Sequence, residues 1–185
     1  FFTGDFYRIY PVLVSRLKKN GHYLGAHSDK HLLYCSWEKR DSLLVSRREF
    51  LIDLRDNYRE MKKARIKKKE ARYFLPPYEW YNETIAGWTR DEGLKLVNFT
   101  SGTLSHADYT TPSMPNYRSS AIILESIRKH EREKGMNGFI LLVHIGTDPG
   151  RTDKLYDHLP GMIQELKQKG YRFVRIDELL KKSGS

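Results

Sequence analysis

Residues 138–145 read Gly-Phe-Ile-Leu-Leu-Val-His-Ile, a run that is apolar at nearly every position. A strand covered on both faces has this pattern, because neither set of its side chains meets water. Four further short apolar or β-branched runs occur in the chain, at Tyr23–His27, Arg72–Leu75, Leu94–Thr100 and Tyr171–Ile176. Stretches of helical period separate the runs, so the sequence predicts an α/β domain with a mainly parallel sheet.

An open doubly wound sheet and a closed barrel produce the same order of elements. No G-x-G-x-x-G motif or P-loop follows any of the predicted strands, which removes the commonest nucleotide-binding form of the open sheet. We therefore favour a barrel. A chain of 185 residues is long enough for one domain with its own core, so we predict a single domain over 1–185.

The sequence also predicts where the helices begin and end. A helix is predicted from Phe6 to Lys19, ending at Asn20-Gly21. The segment Ser46-Arg47-Arg48-Glu49 fits a capping box, and an apolar stripe follows it at helical spacing, formed by Phe50, Leu54, Tyr58 and Met61. The lysines that come next are therefore expected to face solvent. Two more predicted helices end before a glycine, at Tyr117–Lys134 and Leu155–Lys169.

Composition restricts the class of protein. Hydrophobic residues make up 39% and aromatic residues 12%, which is typical of an ordered globular chain. The longest purely apolar run, Phe139–Val143, is far shorter than the ~18 residues of a membrane-spanning helix. The net charge of +10 raises nucleic acid as a partner, but much of the excess lies in Lys62–Arg72, which is typical of a solvated helix face. We predict neither a membrane span nor a nucleic-acid partner. The single cysteine, Cys35, excludes an internal disulfide and a cysteine-rich zinc site.

Chemically capable residues follow four of the predicted strands. They are His27-Ser28-Asp29-Lys30-His31, Pro76-Pro77-Tyr78-Glu79, Ser105-His106-Ala107-Asp108, and His144 near the end of the run at 138–145. In a parallel α/β domain, the carboxyl ends of the strands form the face on which sites are built. The common position of the four clusters predicts one functional site.

Each cluster also has a purely structural explanation. Two histidines four residues apart lie on one side of a turn and can share a metal, but the spacing alone is weak evidence. Pro76-Pro77 is also explained as a strand stop, Asp108 as a turn residue, and His144 as a hydrogen-bonded core histidine. Only the shared placement favours function over these alternatives.

The order of these motifs resembles a known family. His27-Ser28-Asp29-Lys30-His31 resembles the H-(S/T)-x-x-H zinc motif of polysaccharide deacetylases, the NodB-homology domain of carbohydrate esterase family four. The lead-in at 20–27, Pro77-Tyr78 and Leu142-Val143-His144 are similar to the family's next motifs, and Gly170-Tyr171-Arg172-Phe173-Val174 resembles its closing strand. Phe1-Phe2-Thr3-Gly4 resembles its second strand. The resemblance implies a distorted (β/α) barrel of about six to seven parallel strands, with the first strand absent from this chain.

Three departures from the family pattern accompany the resemblance. The T-F-D-D-G motif, whose aspartates are the general base and third metal ligand in the family, is not in the sequence and is expected upstream of Phe1. The resemblance therefore implies weak metal binding and poor turnover for these residues alone, and an upstream segment or partner chain that completes the barrel. The family's arginine before Pro77 is replaced, since Phe74 or Leu75 stands near its place, and Glu79 replaces a glycine.

The resemblance assigns roles to particular residues. His27 and His31 are the implied ligands of a divalent metal, most commonly zinc, and their nitrogens are expected within roughly 3–4 Å of each other. His144 is the implied general acid, in the same pocket, with Asp108 orienting it. The backbone N–H of Tyr78 is expected to stabilise the oxyanion. Ser28 is expected to brace the histidine loop, and three residues are the candidate substrate contacts, namely Pro77, Trp80 and Tyr109.

The predicted function is metal-dependent removal of acetyl groups from an N- or O-acetylated polysaccharide. One alternative is a deacetylase-like domain that binds carbohydrate without turning it over, because the base motif and the arginine are missing. A basic nucleic-acid-binding module is the third possibility, and it rests on charge alone. Members of the family act mainly on cell-wall or extracellular glycans, so the resemblance implies an exported protein.

Overall fold

The computed structural model describes residues 1–181, which form a mixed α/β structure. The helices are α1 (Gly4–Ile9), α2 (Pro11–Lys19), α3 (Arg47–Lys63), α4 (Glu83–Asp91), α5 (Ser120–Lys134), α6 (Leu159–Gln168) and α7 (Ile176–Lys181). The strands are β1 (Tyr73–Phe74) and β2 (Lys95–Leu96). Short 3₁₀ helices lie at Lys68–Glu70, Pro77–Glu79, Ser105–Tyr109 and Leu155–His158.

The described chain divides into two compact units, each with its own apolar core. The first unit is Phe1–Asn98 with the described residues from Arg175 onward, and the second is Phe99–Val174. Phe50, Leu54 and Phe74 are buried in the core of the first unit. The core of the second is formed mainly by residues of α5 and α6. The single domain over 1–185 stays a prediction.

A parallel ladder of four chain segments organises the first unit. Phe2 bridges Ala26 and Ala26 bridges Phe74, both in parallel, and β1 pairs with β2 in parallel as well. The segments therefore lie side by side in the order in which they occur along the chain. Main-chain hydrogen bonds join them, for example from the Leu75 N–H to the Ala26 carbonyl at 3.2 Å. The parallel pairing predicted from the apolar runs is confirmed for Tyr23–His27, Arg72–Leu75 and Leu94–Thr100, and the segment at Phe2 was expected from the family resemblance.

Helix boundaries follow local chemistry. The helix predicted over Phe6 to Lys19 is two helices, because Pro11 has no N–H to continue the hydrogen bonds of α1 and instead begins α2. The Ser46–Glu49 capping box is present in full at the start of α3. The apolar stripe of α3 faces the core as predicted, and the lysines that follow it are exposed.

The predicted strand at 138–145 is wrong for this structure. The segment has no regular strand, and Val143 and Ile145 are exposed instead of covered. Thr100 N–H donates to the Ile140 carbonyl, but Ile140 N–H donates to the Thr100 hydroxyl and not to a main-chain carbonyl, so the ladder does not continue. The Tyr171–Ile176 run also forms no strand, and Ile176 begins α7. With two regular strands among residues 1–181, the expected six to seven are not found there.

The basic segment Lys62–Arg72 is a solvated surface with local ion pairs. Lys63 pairs with Glu60 at 2.8 Å, and Lys68 pairs with Glu92 at 3.2 Å. In the part of the chain that the structure describes, no helix combines the length and apolar character needed to cross a membrane.

Candidate active site

His27 lies directly after the ladder residue Ala26, and the main chain fixes its ring. Its backbone N–H donates to the Phe2 carbonyl and the Asn57 amide oxygen, each at 3.1 Å. Its Nδ1 lies 2.8 Å from the Leu75 carbonyl oxygen. A carbonyl can only accept a hydrogen bond, so Nδ1 carries a proton, and in the neutral ring the lone pair is then on Nε2. This is the tautomer that a metal-ligating histidine uses, with its second nitrogen held by the protein.

His31 completes a pair with His27. The two Nε2 atoms lie 3.1 Å apart, and the ring centroids are 4.9 Å apart. Two metal bonds of ~2.0–2.1 Å accommodate this separation. The Ser28 hydroxyl accepts a 2.7 Å hydrogen bond from the His31 N–H, so the predicted brace is confirmed. The structure thus brings the two histidines together, while their metal-binding role stays a prediction.

A buried carboxylate on α3 holds the loop between the two histidines. Asp53 Oδ1 accepts hydrogen bonds from the Asp29 N–H at 3.1 Å and the Lys30 N–H at 2.8 Å. Its Oδ2 accepts one from the Tyr34 hydroxyl at 2.7 Å. Burial raises the pKa of Tyr34 well above its usual range, and the charge of Asp53 raises it further. Three donors on one carboxylate make the loop conformation specific.

The side chain of Asp29 is engaged elsewhere. It accepts hydrogen bonds from the Arg8 guanidinium at 2.8 and 3.1 Å. Gly4 is needed for this arrangement, because a Cβ there would lie 1.7 Å from an Asp29 carboxylate oxygen. Among residues 1–181, no group of three histidine, cysteine, aspartate or glutamate side chains has the geometry of a metal site. Among the described residues, the structure therefore brings two imidazoles together without a third such side chain beside them.

Sequence reasoning missed the support from α3, although a signal was present. Asp53 and Asn57 are buried polar residues on the same apolar face as Phe50 and Leu54. Buried polar groups need hydrogen-bond partners, and here those partners are the main chain of residues 27–30. Polar residues three and seven positions after the first apolar residue of the stripe were the observable signal.

Unusual backbone geometry is concentrated in two segments of the first unit. Five non-glycine residues of the described chain have positive φ, and four of them are Ser28, His31, Tyr78 and Glu79. Each such conformation costs about 1–3 kcal/mol, which the surrounding structure must offset. Strain of this kind is typical of functional sites, and here it coincides with the two motifs of the first unit.

The Tyr78 segment lies against the histidine pair. The Tyr78 ring is 4.4 Å from the His31 ring, and 45% of Tyr78 is exposed. Pro77 is buried and begins the short 3₁₀ helix. Trp80 is partly buried, and its indole N–H donates to the Ser36 carbonyl at 3.1 Å. The substrate contacts of Pro77 and Trp80 and the oxyanion role of the Tyr78 N–H stay predictions.

An exposed tryptophan that sequence reasoning did not single out joins this surface. Trp37 is 55% exposed, and its ring is 5.5 Å from Tyr78 and 5.4 Å from Trp80. The guanidinium of Arg40 lies 4.3 Å from the centre of the Trp80 ring. The signal was a tryptophan inside a charged loop, Ser36-Trp37-Glu38-Lys39-Arg40, where no core periodicity explains it.

In the second unit, a buried carboxylate orients His144. Asp108 Oδ1 lies 2.6 Å from His144 Nδ1, and its Oδ2 accepts a 2.7 Å hydrogen bond from the His144 N–H. Asp108 is 2% exposed, so water competes little for either contact. Tyr109, partly exposed, has its ring 5.7 Å from His144. The structure brings Asp108 and His144 together, and the facing of His144 toward the histidine pair stays a prediction.

His106 is a second histidine near Asp108, but its surroundings differ. Its ring stacks on Phe99 at 5.0 Å, and its buried Nδ1 has no hydrogen-bond partner among the described residues. Burial lowers the pKa of His106 below its usual value, and the positive charge of His144 acts in the same direction, while Asp108 opposes the shift. These surroundings favour a neutral packing residue.

Comparisons with known proteins agree with the family resemblance. Residues 1–97 match the family model described as polysaccharide deacetylase. A peptidoglycan-N-acetylglucosamine deacetylase of Bacillus cereus is 30% identical over 172 residues, which cover 92% of this chain and 69% of that protein.

The solved structures that resemble the chain include two from Bacillus anthracis. A family 4 carbohydrate esterase from Bacillus anthracis is 25% identical, with a TM-score of 0.65, 98% of this chain covered and 67% of that chain. A CE4 family pseudoenzyme from Bacillus anthracis is 17% identical, with a TM-score of 0.66, 96% of this chain covered and 53% of that chain. The likeness to the pseudoenzyme shows the fold alone, and this chain spans about half of its length.

Proposed function

Because the chain belongs to the polysaccharide deacetylase family, we propose that it removes acetyl groups from an N- or O-acetylated glycan in a metal-dependent reaction. The observation that carries the proposal is the 3.1 Å separation of the His27 and His31 Nε2 atoms. The distorted (β/α) barrel belongs to the same proposal, supported by the parallel ladder of the first unit and the likeness to the family 4 esterase.

His27 and His31 are the residues that hold the metal in this proposal, with zinc the preferred ion. The donor set fits, because the His27–Leu75 hydrogen bond leaves an Nε2 lone pair directed at the same region as His31 Nε2. When bound, a divalent ion supplies Lewis-acid chemistry at an acetyl carbonyl. The two ring nitrogens need to be neutral to act as ligands, so binding weakens in acid.

His144 provides the proton for the leaving group. Its Nδ1 is held by Asp108, so Nε2 is the atom that gives a proton to the leaving group. The accepting atom is the amine nitrogen of an N-acetyl sugar or the alcohol oxygen of an O-acetyl sugar. Tyr109 beside His144, and Pro77, Tyr78 and Trp80 in the first unit, are the proposed contacts of the sugar and of the oxyanion.

The names of the relatives suggest the substrate class and location. The Bacillus cereus relative is a peptidoglycan-N-acetylglucosamine deacetylase, so N-acetylglucosamine in a cell-envelope glycan is the first substrate to test. Action on such a glycan agrees with an exported protein. An acetylated glycan is the proposed partner, and the basic surface is not assigned to nucleic acid.

A carbohydrate-binding domain without turnover is the second candidate. Phe74 or Leu75, both buried, stands near the place of the family's arginine, and no third acidic ligand joins the histidines within residues 1–181. The fold is shared with a CE4 family pseudoenzyme, which adds weight to this candidate.

Acetate release separates the two candidates. The 185-residue chain is incubated with N-acetylglucosamine oligomers, peptidoglycan and acetylated xylan, with zinc or with a chelator. The proposal expects slow, zinc-dependent acetate release, because no carboxylate ligand joins the two histidines among the described residues. This release is expected to be lost in His31→Gln and kept in His22→Gln, a change at an exposed histidine of the same unit. Glycan binding without acetate release under any of these conditions supports the second candidate.

A further inference from the structure

A short hairpin that lies outside the family-like motifs presents Trp37. Cys35 and Leu43 form an antiparallel bridge, and main-chain hydrogen bonds join Ser36 to Ser42 and Leu44 to Tyr34, both at 2.9 Å. Tyr34 and Cys35 are completely buried, which anchors one arm of the hairpin in the core. We call residues 34–44 the Trp37 hairpin. Its tip is therefore held in place before any ligand arrives.

The rings at this hairpin form a corner that is open to solvent. The planes of Trp37 and Tyr78 are nearly perpendicular, at 81°, and about half of each residue is exposed. Trp80 packs beside Trp37 with its ring tilted by 33°, and Arg40 stacks on Trp80. Exposed aromatic residues that are grouped, not scattered, mark binding surfaces.

Packing alone does not explain Trp37. Trp88, in the same unit, packs against Phe50 in the core at 5.6 Å, as a structural tryptophan does. Trp37 instead contacts other partly exposed rings, and its neighbours Glu38 and Lys39 are exposed polar residues. A flat apolar face bordered by hydrogen-bonding groups matches a pyranose ring, which has apolar C–H faces and a polar rim.

We infer that Trp37 is a stacking platform for a glycan, binding a pyranose ring next to the sugar that loses its acetyl group. This inference rests on the proposed function, because it places the platform relative to the reacting sugar. Tyr78 contacts both His31 and Trp37, so a continuous ring surface runs from the histidine pair to the platform. A platform at this position contributes to long substrates and not to small ones, and it selects for chain length.

The first test compares a long substrate with a small one. In Trp37→Ala, kcat/KM for an N-acetylglucosamine pentamer is expected to fall about 10-fold or more, since an aromatic stacking contact is worth roughly 1–3 kcal/mol. Hydrolysis of p-nitrophenyl acetate is expected to stay within about 2-fold of wild type, because this ester does not reach the platform. Trp37→Phe keeps a ring and is expected to recover most of the loss. Trp88→Phe is the matched control and leaves both rates unchanged.

Two results would overturn the platform. One is an equal loss on pentamer and aryl ester in Trp37→Ala, which assigns Trp37 to support of the site. The other is no loss on either substrate. Circular dichroism and the unfolding midpoint show whether Trp37→Ala folds. If it does not fold, tryptophan fluorescence is measured in wild type and in Trp37→Phe as the pentamer is added. Quenching by the pentamer in wild type that disappears in Trp37→Phe supports the platform, and quenching that persists in full contradicts it.

Binding measurements separate this inference from the proposed function. If wild type with zinc releases no acetate from any substrate, the deacetylase proposal fails. The platform is then tested by calorimetry with the pentamer. Binding that is about 10-fold weaker in Trp37→Ala than in wild type supports Trp37 as a glycan-binding residue, and equal binding contradicts this role. If wild type deacetylates the pentamer and Trp37→Ala does so equally well, the platform alone fails.

Discussion

The two compact units hold their candidate histidines by different means. In the first unit, the main-chain carbonyl of Leu75 holds the His27 ring, and the Ser28 hydroxyl accepts a hydrogen bond from the main-chain N–H of His31. Asp53 fixes the loop between the two histidines. In the second unit, His144 is held by both oxygens of one carboxylate, Asp108. The first arrangement is built into the fold, so a change at Asp53 is expected to affect stability. The second depends on a single side chain, so its chemistry is separable from the stability of the protein.

The largest expected effect is on catalysis in the second unit. His144→Ala removes the proposed general acid, and acetate release is expected to fall about 10²–10⁴-fold, the contribution of a positioned proton donor. The exposed His158 of the same unit provides the control His158→Ala, whose rate is expected to match wild type. Initial rates of acetate release measure both. A loss below about 10-fold in His144→Ala contradicts its role as the acid.

The next effect is on stability in the first unit. Asp53→Ala leaves the Asp29 and Lys30 amides and the Tyr34 hydroxyl without their acceptor, so the free energy of unfolding is expected to fall by about 3–5 kcal/mol. Urea unfolding measures the change. Asp56→Ala on the same helix breaks only a surface pair with Arg59 and is expected to cost about 0.5 kcal/mol or less. Similar values for the two variants would show that the loop does not depend on Asp53.

Asp108 sharpens the contrast between the units. Asp108→Asn keeps the shape of the side chain but removes its charge and one acceptor oxygen from His144, and a 10–100-fold loss of acetate release is expected. Zinc affinity is expected to remain unchanged, because Asp108 supports the acid and not the proposed metal ligands. Calorimetry with zinc measures the affinity, and the rate of acetate release measures the catalytic loss. A matching loss of zinc affinity contradicts the assignment of Asp108 to the acid.

The smallest effect is a pH dependence in the second unit. The pKa of His106 is lowered in the folded protein by burial, so below about pH 6.5 the unfolded chain binds a proton more readily than the folded chain. Stability from this residue is therefore constant above that pH and is lost as the pH falls through it. When the pH falls from 7 to 5, the free energy of unfolding is expected to decrease less in His106→Gln than in wild type, and His158→Gln serves as control. Equal pH slopes for wild type and His106→Gln contradict this reading.

Much of the first unit could be predicted from sequence because the relevant forces are local. The capping box at Ser46, the apolar stripe of α3 and the i,i+4 spacing of His27 and His31 depend on neighbours a few residues away. These features need no knowledge of distant packing. The apolar runs also indicated which segments enter the parallel ladder, although their pairing joins residues more than 20 positions apart.

The remaining features depend on distant partners. Residues 138–145 have the composition of a covered strand, but strand formation requires neighbouring main chain, and here a hydroxyl of Thr100 replaces a carbonyl acceptor. Asp53 is a helix residue whose hydrogen-bond partners lie more than 18 positions away in the sequence. Trp37 could be interpreted as a binding residue only once its contact with Tyr78 was known. The family resemblance gave Asp108 and His144, whose pairing across 36 residues no local pattern shows.

In the proposed function, His27 and His31 act together as the protein ligands of a divalent ion. Zinc titration of the dialysed 185-residue chain tests this role most directly. We expect wild type to bind one equivalent of zinc, weakly because the pair has no carboxylate ligand among the described residues. His31→Gln is expected to bind zinc at least about 10-fold more weakly still, and His22→Gln to match wild type. Zinc binding that is equally tight in wild type and His31→Gln would contradict the account.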